Sequence, residues 1–306
     1  MSQVLLHPTR CAICRTEGNA GELYPANYDL SDFNPEIFSA RRLPDRIHYR
    51  MVKCSACGLV RSDPVADDAA LGELYQQSTF DYGTEVTNLR RTYGRYLGRL
   101  NAHGAHKGSL LEIGCGNGFF LEEAQARGYA DVRGVEPGSQ AVAKAAPGIR
   151  GRIVCDMMRP GLFAEASFDV VCLFQVFDHL PDPTGVLAEA YRVLKPSGLV
   201  LILNHNINAL SARLLGERSP IIDLEHTYLY SPTTLARLAQ SQRLTVRETG
   251  SVWNSYTLHY LARLIPFPAL AKSWMLSLLS RNCIGQLPLS LPLGNFYLVA
   301  QKHKPE

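Results

Sequence analysis

The string LLEIGCGNGFF, Leu110–Phe120, places Gly114, Gly116 and Gly118 directly after an apolar run and before a helical one. Residues without a Cβ let the backbone turn tightly and approach a ligand closely, and the helix beyond offers unpaired N–H groups. The spacing G-x-G-x-G is one residue shorter than the G-x-G-x-x-G of dinucleotide sites, so a pyrophosphate is not the expected ligand. Glu136, in GVEPGS, follows at the end of the next apolar run, where a carboxylate can accept both hydroxyls of a ribose. Asp156, in IVCDMM, ends the third run and is placed to accept from an adenine amino group.

Three histidines are candidates for proton transfer. His226 follows Glu225 in PIIDLEHTYLYSPTTL, and a carboxylate beside an imidazole raises its basicity near neutral pH. His179 lies in FQVFDHLPDP, where it either acts as a base or packs against the sheet to orient a loop. His205, within Asn204-His205-Asn206, follows a fifth apolar run, and ligands of open α/β sheets sit outside the carboxyl ends of strands. Four cysteines form two C-x-x-C pairs, Cys11 with Cys14 and Cys54 with Cys57. Four thiolates suit a tetrahedral Zn²⁺ with no open position, hence a structural rather than a catalytic metal. Residues 15–53 exceed the ordinary zinc-finger gap, which predicts an inserted hairpin or loop. The pairs do not flank a thioredoxin-like unit, so a redox role fits less well. Cys115, Cys155, Cys172 and Cys283 read as ordinary buried thiols.

The elements that must hold these residues are legible in the periodicity. Val86, Leu89, Tyr93, Tyr96, Leu97 and Leu100 predict a helix over Glu85–His106. From Ser109 onward short apolar runs alternate with helical stretches: LLEI, a helix over Phe119–Arg127, DVRGVE, a helix over Ser139–Ala146, GRIVCD, SFDVVCLFQ, a helix over Thr184–Leu194, and GLVLILN. This alternation predicts βαβ units and a parallel sheet, and runs lacking period-2 polarity fit strands covered on both faces. Ser231-Pro232 opens a further helix as cap and first-turn proline. RLTVRET and NFYLVAQK are the sixth and seventh strands. Between them Val252–Leu293 is a long apolar segment with Trp253, Trp274 and scattered Arg263, Lys272 and Arg281. Three roles suit it: a lid over an acceptor, a contact with a membrane surface, or a dimer contact.

Composition sets outer limits. The 306 residues predict about two domains. An apolar content of 46% with 19% charged residues excludes a disordered chain. A net charge of +3 gives no electrostatic case for nucleic acid. The opening residues show no secretory pattern, and no apolar run reaches the ~20 residues of a membrane span. The expectation is a soluble, cytoplasmic protein, peripheral to the inner face of the membrane if the apolar segment binds there.

Taken together, Glu112–Gly118, Glu136, Asp156, SFDVVCLFQVFDHLPDP and RVLKPSGLVLI resemble the class I S-adenosylmethionine-dependent methyltransferases over roughly residues 85–250. The resemblance implies a Rossmann-like seven-stranded sheet of order 3-2-1-4-5-7-6 with the last strand antiparallel. It implies that Glu112, Gly114, Cys115, Gly116 and Gly118 line the methionine and ribose portion of the cofactor. Glu136 with Pro137 would hold the ribose, Asp156 with Met157 would flank the adenine, and Gln175 would sit near the methionine end. Asp178-His179 stands where many relatives carry Glu-His. Glu225-His226 resembles the Glu-His segment of sugar C-methyltransferases, and CGLVRSDP resembles the zinc knuckles that precede some sugar and natural-product methyltransferases.

The expected organisation is a zinc-ribbon-like four-cysteine module at 1–65, a helical linker and cofactor lid at 66–108, and an S-adenosylmethionine-binding domain at 109–306 with an α-helical insertion before the last strand. The expected reaction is methyl transfer to a small-molecule acceptor (a sugar, a lipid-linked glycan precursor or a natural product), oxygen favoured over carbon. His226, Glu225 and His179 are the expected catalytic residues. The rivals are a zinc-finger-bearing RNA methyltransferase, an NAD-dependent oxidoreductase and a non-catalytic binder of the same cofactor.

Overall fold

The computed structural model describes residues 4–38, 46–78, 86–259, 269–281 and 287–303, with 262 and 285 as isolated positions. Glu85, Tyr260, Arg263, Leu264 and Cys283 lie outside the described residues. Strands β1 (Leu6–His7), β2 (Ala20–Tyr24), β3 (Met51–Cys54), β4 (Val60–Ser62) and β5 (Val65–Ala66) come first, then helices α1 (Asp68–Gln77) and α2 (Val86–Arg99). Next follow β6 (Ser109–Ile113), α3 (Phe119–Ala126), β7 (Asp131–Val135), α4 (Ser139–Ala143), α5 (Pro147–Arg150), β8 (Ile153–Val154), β9 (Phe168–Phe174), α6 (Pro183–Val193) and β10 (Leu194–His205). The chain continues through α7 (Leu210–Leu215), β11 (Tyr228–Leu229), α8 (Pro232–Ser241), β12 (Leu244–Ser251), β13 (Asn254–Thr257), α9 (Ala269–Arg281), β14 (Pro288–Leu291) and β15 (Asn295–Lys302).

Seven of these strands form one sheet in the order β12-β15-β10-β9-β6-β7-β8. Numbered by appearance within the sheet and read from β8, that is 3-2-1-4-5-7-6. β15 runs antiparallel to both β10 and β12, and the remaining pairs are parallel. The mixed α/β class I architecture expected above is therefore the observed one. The apolar runs explain it. Leu111, Ile113, Val171, Leu173, Val200 and Ile202 face one core, beneath α6 and α8. Their alternates Leu110, Val170, Cys172, Leu199, Leu201 and Leu203 face the other, beneath α2 and α3. A strand buried on both faces needs apolar residues at every position, not every second one.

Helix ends follow local chemistry. In α8 the Ser231 hydroxyl accepts from the Thr234 N–H with Pro232 in the first turn, and in α6 Asp182 caps Gly185 ahead of Pro183. The single helix predicted over Ser139–Ala146 is instead α4 and α5. Ala146 precedes Pro147 and takes extended dihedrals (φ −56°, ψ 145°), which interrupts the helix. The predicted helix over Glu85–His106 is described from Val86, and after α2 a 3₁₀ turn at Leu100–His103 ends at left-handed Gly104.

Three smaller sheets accompany the large one, the first being the antiparallel pair of β1 with β5. The N-terminal cysteine module contributes β2, β3 and β4 to a four-stranded antiparallel sheet of order β11-β4-β3-β2, whose fourth strand comes from far down the chain. Tyr228 pairs with Arg61 and Leu229 with Val60. In the segment before the last strand, β13 and β14 pair antiparallel, and α9 lies between them in sequence.

Candidate active site

The glycine loop sits at the carboxyl end of β6. Gly114, Gly116 and Gly118 have φ of 72°, 54° and 73°, a left-handed region that disfavours side chains. At two of them the space is taken by protein. A Cβ on Gly114 would lie 2.2 Å from Val176, and one on Gly118 would lie 2.5 Å from Ile149. At these two positions the turn and its packing require the missing Cβ, the first of the two roles, turn and ligand approach, that the sequence reading gave all three glycines. Cys115 is also committed to packing: its Sγ would meet a Cβ on Gly134 at 2.4 Å. The Gly116 N–H donates to Glu136 Oε2 and the Gly138 N–H to Oε1, both at 2.8 Å, so the loop and the end of β7 hold one carboxylate between them. Burial pushes the Glu136 carboxyl upward, and these two N–H donors counter that push.

Two acceptors near this loop are buried and lack partners among the described residues. Glu112, on β6, is 3% exposed and its Oε2 is unpaired. Burial and the neighbouring Glu136 raise its pKa well above the usual carboxylate range. Gln175, just past β9, has φ 56°, a strained value for a residue with a side chain. Its N–H donates to Leu203 O at 2.9 Å and its Oε1 is buried and unpaired. Asp156 lies past β8, where Oδ1 accepts from the Met157 N–H at 2.8 Å and Oδ2 pairs with Arg159 Nη2 at 2.8 Å. The carbonyl of Pro137 lies 3.9 Å from Cys155 Sγ. A cleft of about 400 Å³, lined by Asp131, Arg152 and Ser167 among others, opens at the opposite edge of the sheet and takes no part in this arrangement.

Beyond β9 and β10 the chain gathers three imidazoles around one carboxylate. Asp178 is fully buried. His205 Nδ1 lies 2.5 Å from its Oδ2, and His226 Nε2 lies 3.7 Å from the same oxygen. His179 Nε2 lies 3.7 Å from Oδ1. The His179 and His226 rings meet edge to face at 4.7 Å. Tyr75, from α1, places its hydroxyl 3.3 Å from His179 Nδ1. Burial pushes the Asp178 carboxyl up, but His226, His205 and His179 together outweigh it and hold the pKa well below the usual range. An ionised carboxylate only accepts, so Nδ1 of His205 carries the proton and Nε2 the lone pair. His226 Nδ1 donates to Ile221 O at 2.9 Å, so this ring also carries a proton on Nδ1, with Nε2 turned toward Asp178.

Of the expected catalytic set, the structure brings His226 and His179 together around the carboxylate of Asp178. Glu225 meets the cluster through its backbone carbonyl, which accepts from Tyr75 at 3.5 Å. The sequence reading assigned no role to Asp178 or Tyr75. The position of Asp178 directly after a strand, beside His179, was the available signal for the first. No local signal marks Tyr75, which α1 delivers from a distant part of the chain.

The four N-terminal cysteines converge. Their sulfurs all lie within 4.8 Å of one another, with Cys11–Cys57 at 3.3 Å and Cys14–Cys54 at 3.6 Å. Tetrahedral Zn–S bonds of about 2.3 Å require sulfur–sulfur distances of roughly 3.8 Å, so the cluster is of the right size. Asn19 Nδ2 lies 3.3 Å from Cys54 Sγ and 3.5 Å from Cys14 Sγ, a second layer of donors to the sulfurs.

A family model described as "Methyltransferase domain" matches residues 86–249, more than half of the chain. The chain belongs to this methyltransferase family. It is similar to the ubiquinone biosynthesis O-methyltransferase of Paracidovorax citrulli, 30% identical over 167 residues covering 49% of this chain and 69% of that protein. The protein of the same name from Neisseria meningitidis serogroup C is 28% identical over 199 residues, 60% of this chain and 82% of the other. Among solved structures, the complex between the Haloferax volcanii Trm112 methyltransferase activator and a methyltransferase contains a chain of the same fold (TM-score 0.51, 17% identity), covering 72% of this chain and 92% of that one. The enzyme is an S-adenosylmethionine-dependent methyltransferase, which replaces the oxidoreductase alternative. The residues fit that cofactor. Glu112 and Gln175 present unpaired buried acceptors to a ligand rich in donors and positive charge, and Glu136 is fixed by two backbone N–H groups at the end of the second strand of the sheet.

Proposed function

We propose that this methyltransferase modifies a hydroxyl oxygen of a small-molecule acceptor, such as a sugar, a lipid-linked glycan precursor or a natural product, with His205 as the general base. One observation carries the reading: a fully buried carboxylate, Asp178, fixes the tautomer of His205 just beyond the strand ends that would hold the cofactor. When bound, S-adenosylmethionine supplies an already activated methyl group. Glu112, Gly116, Glu136, Asp156 and Gln175 would hold it, with Gly114 and Gly118 shaping the loop and Cys115, Pro137 and Met157 flanking it. The acceptor hydroxyl lies against His205 Nε2, which takes its proton as the oxygen forms the new bond. Asp178 keeps the imidazole oriented and stabilises the positive charge that it gains. His205 is 27% exposed at its side chain and His226 only 8%, so His205 has the freer reach to a substrate. His226, His179, Glu225 and Tyr75 complete the wall. The names of the relatives support oxygen as the methylated atom. The four N-terminal cysteines hold a structural Zn²⁺, which fastens β3 and the loop before β2.

The test is methyl transfer from labelled cofactor to a panel of phenols, sugars, glycolipid precursors and bulk RNA. His205→Ala should lower kcat by about 10²–10³-fold with cofactor affinity unchanged. If only His226→Ala has that effect, the base is His226. Label found in RNA alone overturns the small-molecule reading, and label on carbon by NMR overturns O-methylation.

A further inference from the structure

The ionised carboxylate of Asp178 is held more sparsely than a fully buried charge requires. Its Oδ2 accepts from His205 Nδ1 at 2.5 Å, whereas Oδ1 has no hydrogen-bond partner among the described residues. A buried charge with an unsatisfied oxygen is costly. Two further imidazoles face this carboxylate without bonding to it. His226 Nε2 lies 3.7 Å from Oδ2 and His179 Nε2 lies 3.7 Å from Oδ1, both beyond hydrogen-bond length. An imidazolium in either place would close to the distance that His205 shows.

Those separations are close to the ones that two ligands keep across a shared metal ion. Bonds of about 2.1 Å to nitrogen and oxygen, at a tetrahedral angle, put the ligand atoms about 3.4 Å apart. One donor atom from each of Asp178, His179 and His226 lies within 4.8 Å of the other two. His179, 22% exposed at its side chain, has room to complete the approach. Each of the three is also fixed from behind, as metal ligands are. Ile221 O accepts from His226 Nδ1 at 2.9 Å, which turns Nε2 to the carboxylate. The Tyr75 hydroxyl lies 3.3 Å from His179 Nδ1, and His205 holds the second oxygen of Asp178. Two imidazoles with one carboxylate suit a divalent first-row transition metal rather than Mg²⁺ or Ca²⁺.

We propose that Asp178 Oδ1, His179 Nε2 and His226 Nε2 bind a divalent transition-metal ion beside His205. Three protein ligands leave positions open for an oxygen from outside the chain. Fewer ligands, none of them a thiolate, hold this ion less tightly than four cysteines hold zinc, so it exchanges with solution. An acceptor hydroxyl bound to the ion becomes more acidic. Its proton passes to His205 Nε2, and the oxygen takes the methyl group from the sulfonium, which leaves as a thioether. That catalytic use rests on the reaction proposed above; the metal binding does not.

Mn²⁺, a poor match for thiolates, is the probe, added to the full chain with neither cofactor nor acceptor. Paramagnetic resonance should show a single class of bound Mn²⁺, with spin-echo modulation from imidazole nitrogen, and Tm should rise with the ion. His226→Asn and His179→Asn should each weaken binding at least about tenfold, while unchanged cofactor affinity by calorimetry shows that both variants fold. His205→Ala, which tests the base, should keep the nitrogen coupling. Mn²⁺ that stays free overturns the site, as does bound Mn²⁺ without nitrogen coupling or binding indifferent to both histidine substitutions. If the ion binds but its removal leaves turnover unchanged, the catalytic use fails and His205 acts unaided. If the ion binds and no acceptor hydroxyl is methylated, the reaction reading fails and the metal site stands.

Discussion

Glu112 shows how one buried side chain is costly to the fold and useful to the site. Its carboxyl is 3% exposed, its Oε2 has no partner among the described residues, and burial with Glu136 raises its pKa well above the usual range. A carboxyl with a raised folded pKa binds its proton more tightly folded than unfolded, so its contribution is lost as pH rises from about 4.3 through the folded value. Above that window the group opposes folding unless a ligand brings donors or positive charge. Glu112→Gln should therefore raise Tm at pH 8 in the free enzyme, yet weaken S-adenosylmethionine binding by about tenfold or more. Scanning calorimetry and titration calorimetry on the same samples check both signs, and a variant that loses stability while keeping cofactor affinity contradicts this account. At Gly114 the neighbour is Val176 rather than open space, so the glycine is set by strand-to-loop packing as much as by any ligand.

At the level of elements, the cysteine module and the imidazole cluster are joined by hydrogen bonds as well as by a shared core. The Ser62 hydroxyl donates to His226 O at 2.8 Å, and the Ser62 N–H donates to Thr227 O at 2.9 Å. Thr227 in turn donates its N–H to Asp178 O at 2.9 Å and its hydroxyl to Leu180 O at 2.8 Å. β4 thus positions the backbone that carries His226, and that backbone steadies the turn that carries Asp178. Cys54 ends β3, the strand next to β4. Cys54→Ser should abolish stoichiometric zinc and lower turnover by more than about tenfold, while cofactor affinity, set on the far strands, changes less than about threefold. Metal analysis and a kcat-against-Kd comparison read this out. A zinc-free wild type of full activity removes the metal, and turnover that survives the substitution removes the coupling.

Across the whole molecule, α2 and the 3₁₀ turn after it are tied to the end of the sheet. Glu248 on β12 pairs with Arg99 and accepts from the Tyr297 hydroxyl, while His103 Nε2 lies 2.8 Å from its other oxygen. The Tyr96 hydroxyl adds bonds to Ser251 O at 3.2 Å and from Trp253 N–H at 2.8 Å. Partial burial pushes the Glu248 carboxyl up, but Tyr297, His103 and Arg99 prevail and lower it to about 2. A depressed folded pKa contributes stability that is fully present above the unfolded value of about 4.3 and is lost as pH falls toward 2. The urea midpoint of Glu248→Gln should lie below wild type at pH 7, and the gap should close between about pH 4.5 and about pH 2.5. A gap that stays constant over that range would show that the cluster is held by packing alone.

What the amino-acid order determined by itself is the sheet and the left-handed glycine loop at the end of its first strand. Both-face burial writes continuous apolar runs, and a left-handed loop writes glycines, so LLEIGCGNGFF, Glu136 and the strand sequence were legible without coordinates. Those signals are local, carried by residues close in the chain. The carboxylate at the centre of the imidazoles was not legible, because Asp178, His205, His226 and Tyr75 meet only when β9, β10, the segment before β11 and α1 converge. The adjacent pair Glu225-His226 offered a nearer carboxylate in sequence, but adjacent side chains need not face each other. The long-range pairing of β4 with β11, from residues 60–62 to 228–229, likewise leaves no periodic trace, since a two-residue strand has no pattern to read. Local physics chose the elements; the decision about which ionisable groups meet around Asp178 belonged to the packing that brings them there.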